Sequence, residues 1–314
     1  MIFRTGAAAL GLGLAGCTSL NNSASSKPRQ VLFFSKSSGY EHSVIKSVNG
    51  KPSFAQQILT ELGPQHGIEF TFSKDGSLFT PEYLAKFDAY FFYTTGNLTE
   101  AGTDKNPPMT PAGKAAFLNA IKHGKGFIGT HSATDTFHLG ESADTPKDKV
   151  PTRFKNYGDA ADPYCRMIGA EFIHHDKQQV ATMQVVDPQF PGFKDRGPEF
   201  KLMDEWYSLK DFSSNLHVIL VQETGTMEGQ HYQRPPYPAT WARMHGKGRV
   251  FYTSMGHRED VWMNPNYQEM LFGGIAWAVR NTNADVTPNL LQAAPGCMTL
   301  PPSTPTPAKA KVKA

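Results

Sequence analysis

Cysteine is scarce in this chain: its 314 residues hold only Cys17, Cys165 and Cys297. Three cysteines, one of them in a leader, make no disulfide framework and supply too few thiolates for a cysteine metal site. The sequence leaves open whether Cys165 and Cys297 are bridged. A surplus of either charge is also missing. The formal charge is +3, and Arg4, Lys309, Lys311 and Lys313 lie near the two ends; 31 basic residues less these four leave 27 against 28 acidic ones. Phosphate binding needs a basic face, so no nucleic-acid partner is expected. No Gly-x-Gly-x-x-Gly follows the first expected strand, no phosphate loop ends in Gly-Lys-Ser/Thr, and no helix carries His-Glu-x-x-His. Dinucleotide, P-loop and zincin chemistry are therefore not expected.

What is present begins with a processing segment. Arg4 precedes the small, apolar run Thr5 to Leu14, which is too short to span a bilayer. Leu14-Ala15-Gly16-Cys17 resembles a bacterial lipobox and implies cleavage before Cys17 with lipidation of its sulfur. Thr18 stands where an aspartate would argue against the outer membrane. The expectation is a domain tethered in the periplasm, outer membrane favoured, with membrane contact only through the lipid. Residues 18–29 read as a linker, 30–282 as the domain, and 283–314 as a Pro/Ala/Lys-rich tail that is disordered beyond about Pro302.

Within the domain, apolar strands alternate with helices. Strands are expected at Val31–Ser35, Ile68–Phe72, Asp88–Tyr93 and Gly126–Thr130, and helices over Pro52–Gly67, from Thr80-Pro81, and from Thr110-Pro111 to Gly124. Gln179–Val186, His217–Glu223 and Arg249–Ser254 read as further strands, some of them antiparallel, and Asn266–Arg280 as a closing helix. Such alternation predicts a doubly wound, mostly parallel sheet. Asp135–Asp162 is long and polar, and reads as a functional insertion or lid.

Ligands of open parallel sheets bind beyond the carboxyl ends of the strands. Those ends carry Tyr40-Glu41-His42, Thr94-Thr95-Gly96-Asn97, His131 with Asp135 and His138, and Met255-Gly256-His257. Gly129-Thr130-His131-Ser132-Ala133 puts an imidazole at a strand-to-turn corner, where hydrolases of similar topology carry a nucleophile. Histidine there suits a general base, acid or metal ligand. His174-His175 sits on an extended segment, so at most one of the two faces the pocket. Asp204-Glu205-Trp206-Tyr207 sets carboxylates beside rings, and a buried Glu205 would have a raised pKa and serve as an acid.

Five motifs in order resemble one family. They are Tyr40-Glu41-His42, Gly129 to Asp135, Met167 to His175, Asp204 to Tyr207, and Pro238 to Trp241 with Gly248 to His257. From about Gln30 to Asn281 the chain is similar to the ThuA-like proteins of trehalose utilisation. The resemblance implies an α/β fold: a three-layer, flavodoxin-like sandwich of the class I glutamine amidotransferase-like type. There the amidotransferase cysteine is replaced, here by His131, so glutamine hydrolysis is not expected. The resemblance also implies a link to disaccharide catabolism at the level of 3-keto glycosides.

The expected function is acid–base isomerisation, elimination or hydrolysis of a keto glycoside or disaccharide. His131 is expected as base and Asp135 as its orienting partner. His42, His257 and Glu205 are expected as acid or stabilising groups, with Tyr40, Asn97, Trp206, Tyr207 and His175 as substrate contacts. No cofactor is certain; a divalent metal held by two or three of His42, His131, His175 and His257, with a carboxylate, is a second version. A sugar dehydrogenase of the same pathway would supply the keto group. The rival class is a non-catalytic sugar-binding periplasmic lipoprotein.

Overall fold

Helices begin where a polar cap meets the chain. The computed structural model describes residues 27–138, 153–194 and 196–303. Helix α1 (Phe54–Leu62) starts at a reciprocal capping box between Ser53 and Gln56. Then come α2 (Pro81–Leu84), α3 (Pro111–Lys122), α4 (Pro163–Ile168), the short α5 (Glu259–Trp262), α6 (Pro265–Ala278) and α7 (Leu290–Ala293). In α2, α3, α4 and α6 a proline opens the helix directly after Thr80, Thr110, Asp162 or Asn264, whose side chain accepts a backbone N–H of the first turn. Proline loses nothing there, because that N–H has no helical partner.

The strands are β1 (Arg29–Phe34), β2 (Ile68–Ser73), β3 (Ala89–Phe92), β4 (Gly126–Thr130), β5 (Glu171–His175), β6 (Gln179–Val185), β7 (Glu199–Asp204), β8 (Tyr207–Lys210), β9 (His217–Gln222), β10 (Tyr237–His245) and β11 (Gly248–Thr253). Nine of them form one sheet in the order β2-β1-β3-β4-β11-β10-β9-β6-β7, while β5 and β8 pair separately. Pairing is parallel from β2 through β11 and antiparallel from β11 to β7. The sheet is therefore more evenly mixed than the strand–helix alternation suggested. Strands β5, β7, β8 and β10 were not expected: β5 and β8 are short, β7 lies at an edge, and β10 begins directly after Pro235 and Pro236, with Pro238 near its start, where the sequence reads as a break.

Alternation along the central strands separates two cores. Phe34, Phe92, Phe127 and Tyr252 pack with Phe117 and Tyr164 on one face. Phe33, Phe91, Ile128 and Phe251 pack with Leu271 and Trp277 on the other. Strands β3 and β4 are buried along their whole length, as a sheet covered by helices on both sides requires.

The folded body continues past residue 282, which corrects the expected start of the tail. Asn289 accepts the Val218 N–H at 2.6 Å, and Leu290 and Cys297 are buried. Apolar residues spaced along a proline-rich segment, some of them on the short helix α7, dock it on the body of the fold. Cys165 and Cys297 are both free and buried. Among the described residues no helix is long and apolar enough to cross a membrane. The leader with Cys17, residues 139–152 of the expected lid, and residues 304–314 lie outside the described residues.

Candidate functional site

Strand β4 ends at Thr130, and His131 then turns the chain with φ +43°, a conformation costly for a residue with a Cβ. The corner lowers the imidazole into the sheet's carboxyl edge, where it is completely buried. Its Nδ1–H donates to the Ser254 carbonyl at 3.1 Å. That leaves Nε2 facing the other members of the cluster, with a lone pair in the neutral imidazole and an N–H in the imidazolium. Nε2 lies 3.2 Å from His257 Nδ1 and 3.6 Å from Glu205 Oε2.

His257 follows β11 through a turn that needs Gly256, whose φ is +116° and whose added Cβ would meet the Tyr267 hydroxyl at 2.7 Å. The Gly256 carbonyl accepts from the Tyr93 hydroxyl at 3.0 Å and from Trp262 Nε1–H at 2.8 Å. His42 arrives after β1 and is buried. The three imidazoles stand almost equidistant. Ring centroids are 4.9 Å apart for His42–His131, 5.1 Å for His42–His257 and 5.1 Å for His131–His257, with interplanar angles of 88°, 84° and 79°.

Glu205 closes the cluster from the opposite end of the sheet, at the turn between β7 and β8. Its Oε2 lies 3.1 Å from His257 Nδ1, and its Oε1 lies 3.4 Å from His175 Nδ1. One ligand atom each from His42, His131, Glu205 and His257 lies within 4.8 Å of the other three. His175 sits outside this set, behind Glu205. Burial lowers the pKa of His42 well below the usual histidine value, and the neighbouring His131 and His257 add to this. Burial likewise lowers His131. Glu205 departs from the raised value expected of it. Burial pushes it up, but hydrogen bonds and charge from His131 and His257 win, holding the carboxyl well below the usual range. Its neighbour Asp204 is the carboxyl that burial raises, to about 7, against the backbone N–H groups of Gly256 and Glu205.

The cluster forms one wall of a cavity of about 360 Å³, lined also by Tyr40, Asp135, Phe172, His175 and Tyr207. This is the size of a small-molecule site. His131 itself does not line it, being buried beneath. Asp135 does not orient His131, as expected from sequence, but accepts from His138 Nε2 at 2.5 Å. The other ring nitrogen of His138 donates to Glu171 Oε1 at 2.9 Å, and Lys210 Nζ lies 3.4 Å from the same oxygen. Burial disfavours the imidazolium, yet the hydrogen bonds to Asp135 and Glu171 outweigh it and raise His138 to about 9.

Two expected substrate contacts fall away. Asn97 caps its own loop, accepting from Thr99 and donating to Glu100 at 2.9 Å. Trp206 is fully buried and donates to the Gln179 carbonyl at 2.8 Å. Of the consecutive histidines, His175 faces the cavity, while His174 stacks on His231 with centroids 4.3 Å apart. Asp204 and Glu171 lie within motifs that the sequence showed, but no role was expected of either. The Asp135-x-x-His138 spacing was the available sign of the second network.

The family model for ThuA, described as trehalose utilisation, matches residues 30–145 and 153–278. A solved structure of a ThuA-like protein from Bacteroides uniformis is 17% identical with a TM-score of 0.56, covering 81% of this chain and 92% of its own. Another, from Parabacteroides merdae, is 14% identical with a TM-score of 0.55, covering 82% of this chain and 92% of its own. No curated protein matches the chain.

Proposed function

The chain belongs to the ThuA family of trehalose utilisation, and from that premise we propose that it is an enzyme acting on a 3-keto glycoside or disaccharide by proton transfer. The observation that carries this reading is the cavity's division into two chemically different walls. One holds the imidazole–carboxylate cluster of His42, His131, Glu205 and His257. The other presents Asp135, braced from behind by His138 and Glu171. Tyr40, Phe172 and Tyr207 offer aromatic faces for the sugar's C–H surfaces.

A ketone acidifies the adjacent C–H. Asp135, rather than the buried His131, is the carboxylate able to reach that proton from the cavity. It takes the proton, and the electron pair moves onto the carbonyl oxygen, which accepts from imidazole N–H groups of the cluster wall. The enolate then either recovers a proton at a different atom, giving the isomer, or expels the aglycone from the carbon beyond. In the second case the C–O bond breaks, and the leaving oxygen takes a proton from His175 or water at the mouth.

A sugar dehydrogenase is the class of enzyme that would supply such a ketone. The lipobox-like leader supports placement in the periplasm, held by lipid on Cys17 with the outer membrane favoured. Incorporation of labelled fatty acid, abolished in Cys17→Ala, would test that placement.

The decisive experiment incubates the protein with 3-keto disaccharides in D2O and follows them by NMR. Deuterium entering next to the ketone, with formation of an isomer or free aglycone, is the expected result. Protection of the protein against unfolding with neither exchange nor product would instead mark a non-catalytic sugar-binding lipoprotein.

A further inference from the structure

We infer that His42, His131, Glu205 and His257 form a centre for one divalent first-row transition-metal ion, whose open position faces the sugar cavity. The inference rests on the proposed sugar-processing reading only for the ligand that fills that position.

Geometry supports it first. Metal–nitrogen bonds of about 2.0–2.1 Å place neighbouring ligand atoms about 2.9 Å apart at right angles and about 3.3 Å apart at tetrahedral ones, so four donors at such spacings can hold one ion on one side and leave a position open. The separations here are 3.2 Å for His131 Nε2 to His257 Nδ1, 3.1 Å for His257 Nδ1 to Glu205 Oε2, and 3.6 Å for His131 Nε2 to Glu205 Oε2. Three near-perpendicular rings with equal spacings direct nitrogens at a common point, which side chains packed for hydrophobic contact have no reason to do.

Hydrogen bonding supports it independently. His42 Nδ1 is buried and has no hydrogen-bond partner, although a buried ring nitrogen normally finds one. His131 Nε2 and His257 Nδ1 face each other, so at most one proton lies between two nitrogens. A cation resolves the second fault, because it takes lone pairs and needs no protons, and one ring nitrogen of His42 lies within 4.8 Å of the other three donors. His131 is already oriented as a ligand, since its Nδ1–H donates to a backbone carbonyl, the usual second contact of a metal-bound imidazole.

Three imidazoles and one carboxylate suit zinc, iron, nickel or manganese, and the donor set contains no thiolate to favour copper(I). Of the four residues, His131 is fully buried, whereas His42, Glu205 and His257 line the cavity. A further ligand therefore enters only from the cavity side. The ligand class that fits that open position is the keto oxygen of a sugar.

The full chain, purified without chelator, should carry about one metal equivalent by elemental analysis. Stripped protein titrated with cobalt(II) should develop visible d–d absorption that saturates at one equivalent, together with a rise in Tm. His257→Asn and Glu205→Gln should each weaken cobalt binding by about tenfold or more, while Tyr40→Ala, outside the centre, should leave it unchanged. Stripped protein that binds neither cobalt nor zinc and shows no change in Tm would overturn the inference. So would undiminished binding by both ligand variants, or full keto-sugar turnover by metal-free protein. The last outcome would leave the proposed function standing. Stoichiometric metal without turnover would sink the function and keep the centre.

Discussion

Asp204 holds the backbone of Glu205: one carboxylate oxygen accepts the Glu205 N–H at 3.0 Å, and the other accepts the Gly256 N–H at 2.8 Å. A single buried side chain at the end of β7 thus ties together two turns from different regions of the fold. Those turns present Glu205 and His257 to each other.

Asp204→Ala removes both acceptors and leaves two buried N–H groups unpaired, at a cost of about 1–3 kcal/mol each. Urea unfolding should show the lost stability. Turnover should fall through kcat more than through KM, since Asp204 does not touch the cavity. Wild-type kcat in a folded variant would remove Asp204 from the site's support.

Asp135→Asn keeps the shape and an acceptor for His138 but discards the base. Turnover of a keto glycoside should drop by about 10²- to 10⁴-fold, in a protein that still folds but with a lower Tm, because the His138 imidazolium loses one of its two carboxylates. Retained activity would return the role to the imidazole cluster.

His138 predicts a pH dependence of stability. Its pKa in the folded protein is raised to about 9 from an ordinary value of 6.5. The imidazolium's contribution is therefore complete below pH 6.5 and is lost as pH rises through about 9. The linked loss amounts to at most about 3 kcal/mol. Chemical denaturation across that window should reveal it, and His138→Gln should flatten the slope. A slope equal in both proteins would refute the buried ion network.

Trp206 and Tyr40 should separate stability from affinity. Trp206→Ala empties a fully buried site, and loss of about 3–5 kcal/mol is expected. Tyr40 is 68% exposed and borders the cavity. Tyr40→Ala should spare Tm and raise KM about three- to tenfold. A higher KM without lost stability in a Trp206 variant would reinstate it as a sugar platform.

Much of the frame was legible because it depends on local rules. The Thr-Pro, Asp-Pro and Asn-Pro pairs start helices through caps that need no tertiary partner. Gly126–Thr130 reads as a buried strand from composition alone and is one. The edge strand β7 was not legible, because its polar residues alternate too weakly with apolar ones to stand out. Roles within the site were harder still. Trp206 and Tyr207 are adjacent, yet opposite faces of the chain send one into the core and the other to the cavity. Glu205 looked like an acid with a raised pKa, but what decides its charge is the arrival of two imidazoles from the ends of β4 and β11, both distant from it in the chain.

By itself the sequence determined the alternating α/β frame, the two apolar faces of its central strands, and the placement of histidines at three strand ends. Tertiary structure alone decided which of those groups meet, that Asp135 turns to His138, and that the pKa values of Asp204 and Glu205 move in opposite directions. Local backbone preference and apolar periodicity act over a few residues and are written in order along the chain. Electrostatic character depends on neighbours within a few ångströms, and here most of those neighbours are brought together only by the folded sheet.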